Sequence, residues 1–222
     1  MKDKEYYVNN LNVLYEDNHL IVVEKYKDVL SQKDITNDID MNEIVKEYIK
    51  IKYQKPGAVY LGLIHRLDRR VGGVMVFAKT SKAASRLSED IRKNNMKKYY
   101  YAVVKGTLTK GGTIDIKLLK DEKENIAIVH KDGKSSILNY QVVRNNGKNT
   151  LVLIELITGR YNQIRASFAH IGYPLINDYK YDTTQKPNNL DIALWCYKII
   201  ITHPVTKEVM EFSLEPKGEI WQ

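Results

Sequence analysis

Three short stretches of this chain combine residue types that could do chemistry. The first is His65-Arg66-Leu67-Asp68-Arg69-Arg70, followed by Gly72-Gly73. A carboxylate crowded by guanidinium groups has its charged form favoured, because each nearby positive charge stabilises the anion. Such an aspartate could serve as nucleophile, base or electrostatic partner, and the same residues could equally form a solvated surface loop of salt bridges. The second stretch is Glu155 to Arg165, which reads ELITGRYNQIR. Thr158-Gly159 punctuates the end of a strand, and Asn162, Gln163 and Arg165 open a helix, with Arg160 in the turn between. Helix N-termini offer N–H donors, and arginine adds a planar fork suited to phosphate or carboxylate. An ordinary strand–turn–helix corner would carry the same residues. The third is Lys97 to Gly106, KKYYYAVVKG. In a strand, Tyr99 and Tyr101 face one way and Tyr100 the other. Tyrosines interleaved with lysines can stack bases and hold phosphates, or simply pack aromatic rings into a core.

These stretches need elements to position them, and the hydrophobic pattern supplies candidates. Val13-Leu14-Tyr15 and His19 to Val23 read as short strands around a Glu16-Asp17-Asn18 turn. Asp40 with Glu43 makes a cap signal, and Met41, Ile44, Val45, Tyr48 and Ile49 then recur at helical spacing until Pro56-Gly57 breaks the chain. Strands are expected over Tyr60 to Leu67 and Val71 to Ala78, on either side of Asp68. A helix capped by Thr80 or Ser81 runs to about Lys93, with Ala84, Leu87 and Ile91 inward. Further strands fall at about 98–105, 113–119, 126–130, 135–144, 150–156, 191–202 and 208–214. A third helix covers Tyr161 to Ile171, with Ile164, Phe168 and Ile171 on one face. Strands outnumber helices and several are joined as hairpins. The expected fold is α+β, a mixed, largely antiparallel sheet flanked by a few helices.

Composition narrows the class. The 222 residues, 43% hydrophobic and 28% charged, fit a single globular domain over 1–222, with no repeat or linker. No apolar run is long enough to span a membrane, and polar Met1 to Asn12 shows no secretory signal, so a cytoplasmic protein is expected. One cysteine, Cys196 in an apolar run, excludes an internal disulfide and a cysteine metal cage. His19, His65, His130, His170 and His203 form no close pair, so no metal site is implied. A net charge of +8 and a pI near 9.2 favour a polyanionic partner without naming it.

Taken together, the stretches resemble the RluA-type pseudouridine synthase family. LGLIHRLDRRVGGVMVFAKTSK, Leu61 to Lys82, is similar to the family's catalytic segment. KKYYYAVVKG resembles its K-x-Y-x-A-x-V-x-G strand, and TGRYNQIRASFAHIGYPLIND its TGR-x-x-QIR segment ending P-L-x-x-D. VLYEDNHLIVVEK resembles the opening strand pair. The four fall in order and cover about Val13 to Leu214.

The resemblance implies an isomerase that converts uridine to pseudouridine within ribosomal or transfer RNA, acting as a monomer, away from membranes and without a cofactor. It implies Asp68 as the catalytic carboxylate and Arg165 as the arginine paired with it. Tyr100 would lie against the base and assist proton removal from C5. His65 and Arg66 would hold the loop or replace the flipped base, and Arg69, Arg160, Asn162 and Gln163 would contact substrate. The chemistry suits these types: a fixed carboxylate near C1′ can stabilise positive charge, take a ribose proton or add covalently. Reaching that bond inside folded RNA requires extruding the nucleotide.

Departures are confined. Lys25-Tyr26-Lys27-Asp28 stands where many relatives have Lys-Pro-x-Gly, Arg70 where proline is frequent, Gly72 where serine is common, Tyr161-Asn162 for Thr/Ser-His, and Asn177 for a glycine before Asp178. Only Met1 to Asn12 precede the match, so recognition is expected to rest on the catalytic domain rather than a separate RNA-binding domain. The alternatives are a catalytically weak RNA-binding or RNA-folding protein on the same fold, or a nucleosidase-like hydrolase with a second acid, for which Glu155 is the candidate.

Overall fold

The computed structural model describes residues 3–187 and 190–222. Along the chain come helix α1 (Lys4–Asn9), strands β1 (Val13–Glu16) and β2 (Leu20–Lys25), helix α2 (Met41–Lys52), strands β3 (Gly62–Leu63) and β4 (Gly72–Ala78), and helix α3 (Ser81–Arg92). Five strands follow: β5 (Lys97–Lys105), β6 (Gly112–Asp121), β7 (Ile126–Val129), β8 (Lys134–Asn145) and β9 (Asn149–Leu156). Helix α4 (Gln163–His170), strands β10 (Leu194–Thr202) and β11 (Val209–Ser213) and a short 3-10 turn, Glu219–Trp221, complete the α+β fold. Contacts divide the chain into two compact units, Met1–Met96 with Lys198–Leu214, and Lys97–Tyr197 with Glu215–Gln222.

In the first unit, β2 pairs antiparallel with β1 and with β4, from Leu20↔Ala78 to Lys25↔Gly73. The period-two pattern puts Ile21 and Val23 on the face that α2 covers with Ile44, Val45 and Ile49, joined by Met75 and Phe77 of β4. Full burial of such side chains contributes roughly 1.5–3 kcal/mol each. Helix α2 starts where the sequence signals it, with Asp40 accepting from the Glu43 N–H at 3.0 Å. Helix α3 is capped by Thr80, whose hydroxyl accepts from the Ala83 N–H at 3.2 Å.

The second unit is an antiparallel run in which β5 pairs with β9, β9 with β8, β8 with β6, and β6 with β7. Helix α4 follows β9 and buries Phe168, whose ring meets Tyr140 edge-on at 5.3 Å.

Three expectations need adjustment. The strand expected over Tyr60 to Leu67 shrinks to β3, and at Leu67 both backbone groups bond the Ser31 hydroxyl rather than a ladder. The third helix begins at Gln163 rather than Tyr161, since Asn162 sits in the left-handed region at φ 48°. Helix α1 was not expected at all. Its signals were the Asp3 cap, accepting from the Tyr6 N–H at 2.8 Å, and the adjacent pair Tyr7 and Val8, both buried.

Candidate active site

The Asp68 segment lies in the first unit and is fixed from below by a lysine. The parity that puts Ile21 and Val23 inward also puts Lys25 inward, where it is 0% exposed. Its ammonium donates to the carbonyl oxygens of Tyr26 at 2.9 Å, Arg69 at 3.1 Å and Val71 at 2.8 Å. Two of these acceptors flank the turn that Asp68 opens, closed by the Val71 N–H on the Asp68 carbonyl at 3.0 Å. Ser31 holds the entering side: its hydroxyl donates to the Leu67 carbonyl at 2.7 Å and accepts from the Leu67 N–H at 3.0 Å. Within the turn, an Asp68 carboxylate oxygen accepts from the Arg70 N–H at 3.0 Å.

The neighbouring site candidates divide by environment. His65 is buried, and its Nε2 accepts from the Val76 N–H of β4 at 3.1 Å, which leaves the ring proton on Nδ1. Arg66 is exposed. Arg69 is drawn away along the loop, Nε to Asp28 at 3.0 Å and Nη1 to Asp38 at 2.6 Å, so its charge is spent on those two carboxylates. Asp28 occupies the left-handed region, φ 59°, where the resembled pattern has glycine. Aspartate is among the few residues with a side chain that tolerate that backbone.

The remaining candidates lie in the second unit. At the strand–helix corner the Gln163 amide is bonded at both its oxygen and its nitrogen. Its oxygen accepts from the Thr158 hydroxyl and the Arg160 N–H, both at 2.9 Å, and its nitrogen donates to the Ile137 carbonyl at 3.1 Å. Arg160 donates through Nε to the Ser135 carbonyl at 2.9 Å. One turn into α4, Arg165 is 5% exposed and forked by Asp178, Nε at 2.7 Å and Nη2 at 2.6 Å, with Asp178 0% exposed. The Tyr181 ring lies 5.0 Å from the same guanidinium, and the Tyr181 hydroxyl accepts from the Ala127 N–H of β7 at 2.7 Å. Tyr161 donates to Asn125 in the turn between β6 and β7 and lies beneath the Lys120 ammonium at 5.1 Å. Asn177, before Asp178, sits at φ 64°, again where the resembled pattern has glycine.

On β5 the expected alternation holds: Tyr100 is buried while Tyr99 and Tyr101 are half-buried. Burial, with a contribution from the Cys196 thiol to which its hydroxyl bonds, raises the Tyr100 pKa well above the ordinary value and keeps the phenol protonated. Burial likewise pushes the Cys196 thiol up to about 12, so Cys196 is a buried hydrophobe rather than a nucleophile.

Sequence reasoning missed Lys25, Ser31, Asp28 and Asp38 around the first segment, and Asp178 and Tyr181 around the second. Lys25 was findable, because it extends the inward parity of an apolar strand. Asp178 was quoted in the TGR segment without a role, since nothing in one dimension says that it meets a side chain thirteen residues back.

Comparison with known proteins follows the same geometry. Residues 19–170 match the family model described as RNA pseudouridylate synthase. The chain is 34% identical over 218 residues to ribosomal large subunit pseudouridine synthase D of Haemophilus influenzae, covering 91% of this chain and 66% of that one. It is 32% identical over 205 residues to an uncharacterized RNA pseudouridine synthase of Bacillus subtilis, covering 90% of this chain and 67% of the relative. The chain therefore spans about two thirds of the length of these relatives. In fold it is similar to human RNA pseudouridylate synthase domain containing 4, with a TM-score of 0.80 at 19% identity over 96% of this chain and 92% of that one. No helix among the described residues is long and apolar enough to cross a membrane.

Proposed function

The chain belongs to the RNA pseudouridylate synthase family, and from that premise we propose that it isomerises uridine to pseudouridine in RNA, with Asp68 as the essential carboxylate. The observation that carries the reading is that the matched span, 19–170, contains Asp68, Tyr100 and Arg165, each on backbone or side-chain supports of its own. The Lys25 and Ser31 contacts fix the turn, so the carboxylate of Asp68 is presented from rigid backbone as a reacting group requires. Arg165 supplies a permanent positive charge in fixed orientation, and Tyr100 gives a ring against which the everted base lies. With its hydroxyl protonated, Tyr100 acts first by packing and hydrogen bonding. Gln163 and Arg69 act as positioning residues, because their polar groups are already committed within the protein.

The names of relatives favour large-subunit ribosomal RNA over transfer RNA as the target. The whole chain serves as one catalytic domain, in the cytoplasm, and a rearrangement inside one nucleotide needs no redox or group-transfer cofactor. The net charge of +8 suits a phosphate backbone.

The test is to map pseudouridine in total RNA from cells with and without the gene, complemented by wild type or Asp68→Ala. One or a few sites are lost on deletion and restored only by the wild type, with turnover of the variant down on the order of 10⁴-fold in vitro. Restoration by Asp68→Ala overturns the assignment. Free uracil released in place of pseudouridine points to the hydrolase alternative.

A further inference from the structure

Lys25 and Lys98 are both drawn out of water, and they are treated differently. Lys25 spends its ammonium on three carbonyl oxygens. Lys98 makes no hydrogen bond and no ion pair among the described residues. It stands two residues before Tyr100 on β5, hence on the same face of the strand. A Cβ built on Gly159, in the corner leading to α4, would come within 3.4 Å of Lys98 Nζ. Position 159 therefore lies within van der Waals reach of the ammonium. Cys196, a thiol kept neutral by burial, lies nearby, and loss of water lowers the pKa of Lys98.

An ammonium partly out of water with no acceptor costs the isolated protein free energy. Groups held in that condition are characteristic of sites where a ligand supplies the missing partner. Exposed Lys97, at the start of β5, suits a backbone phosphate. Lys98 is different, roughly 7 Å along the strand from Tyr100 on the same face, and within reach of whatever Tyr100 packs against.

We propose that Lys98 is a further catalytic residue: its ammonium donates to an exocyclic oxygen of the everted uracil and holds the negative charge that the base gathers during reaction. This rests on the reading of the chain as a pseudouridine synthase. The C1′–N1 bond breaks with its electron pair leaving on the uracil, where it spreads over the ring and its oxygens. The ring turns, C5 bonds to C1′, the C5 hydrogen leaves as a proton and N1 takes one up, so the product is an isomer of the starting nucleotide. A donor beside the oxygens is worth most when the base is anionic and least when it is a neutral substituent, which is the condition for speeding the step.

The experiment compares the full chain with Lys98→Met, on an RNA that the wild type modifies, by single-turnover rate at saturating RNA, affinity across a salt series, and thermal midpoint. The expected variant is slower by about 10²–10³-fold, binds RNA within about threefold of wild type with the same salt dependence, and melts at the same temperature or higher. A higher midpoint is expected because an unpaired ammonium is removed. An unchanged rate overturns the proposal. So does weaker binding with the salt slope reduced by about 0.7–0.9, which assigns the ammonium to a phosphate, and so does a lower midpoint or failure to fold, which makes Lys98 structural. The two readings separate cleanly: loss of activity in Asp68→Ala alongside a wild-type rate in Lys98→Met upholds the enzyme and removes only the lysine. A wild type that forms no pseudouridine takes both down.

Discussion

The turn that bears Asp68 and the corner that bears Arg165 are both irregular in backbone, yet each holds its charged residue by different means. Around Asp68 most of the supports act on the main chain, Lys25 on the carbonyls of Arg69 and Val71 and Ser31 on both polar groups of Leu67, while the Arg70 N–H reaches the carboxylate. Around Arg165 they act on the side chain itself, through the Asp178 fork and the Tyr181 ring. The difference fits the roles proposed for the two groups. A short carboxylate proposed to meet a reacting atom is placed by fixing the backbone that carries it. A long arginine, whose charge is permanent, has several rotatable bonds, and only contacts at its head group set where that charge lies.

If this contrast is right, the largest effect comes from Asp178→Asn. Arg165 and Asp178 are both buried, and removing one charge of such a pair costs about 3 kcal/mol or more. Chemical denaturation of the variant should show that loss, with activity falling in step. A change below about 1 kcal/mol would mean that the guanidinium is placed by something other than its carboxylate, and the contrast would break at the corner.

Next in size is Lys25→Met, which keeps the volume and removes the donor. Buried carbonyls left without a partner cost about 1–3 kcal/mol. The sharper readout is local: the Arg70 and Val71 amides, bonded to Asp68 in the wild type, should exchange with solvent faster than the β4 amides beside them. Uniform acceleration across the first unit would mean that Lys25 stabilises the unit generally and does not specifically fix the turn.

Much of this arrangement was legible in the sequence, and what was not has physical causes. The capped helices α2 and α3, the alternation of β5 and the antiparallel strands follow from local pattern, because caps and pleats are decided within a few residues. The motif segments carry Asp68, Tyr100 and Arg165, the residues proposed for the chemistry. What stayed hidden was the set of long-range partners. Asp28 and Asp38 read as loop charges, yet they draw Arg69 away from the role its neighbours suggested. Gln163 read as a substrate contact at a helix start, whereas its amide closes the corner. The departures at Asp28 and Asn177, puzzling as letters, become simple once φ is known. Both occupy left-handed backbone, which glycine takes freely and aspartate or asparagine take at small cost.

The smallest effect probes how Asp178 is itself presented. Its carbonyl accepts from the N–H groups of Tyr181 at 3.0 Å and Asp182 at 2.9 Å, so the turn that follows it is part of the corner. Asp182 fastens that turn, accepting from the N–H and hydroxyl of Thr184, from the Gln185 amide and from Lys105. Burial alone would raise the Asp182 pKa, but these donors outweigh it and bring it down from 3.8 to about 2. A carboxylate held below its unfolded value adds stability above the unfolded pKa and loses it as the pH falls through the folded one. The contribution is about 1–2 kcal/mol, taken at the low end because Lys105 is half-exposed. Asp182→Asn should therefore be less stable than wild type at pH 6, and the gap should close between pH 4 and pH 2 as the wild type loses what the variant never had. The main-chain supports of the Asp68 turn are the Lys25 ammonium and the Ser31 hydroxyl rather than carboxylates. Exchange of the Val71 amide, which bonds the Asp68 backbone carbonyl, should thus stay level over the same acid range, after correction for intrinsic rates, while exchange at Tyr181 and Asp182 rises. Parallel loosening of both would show that the two supports are not independent.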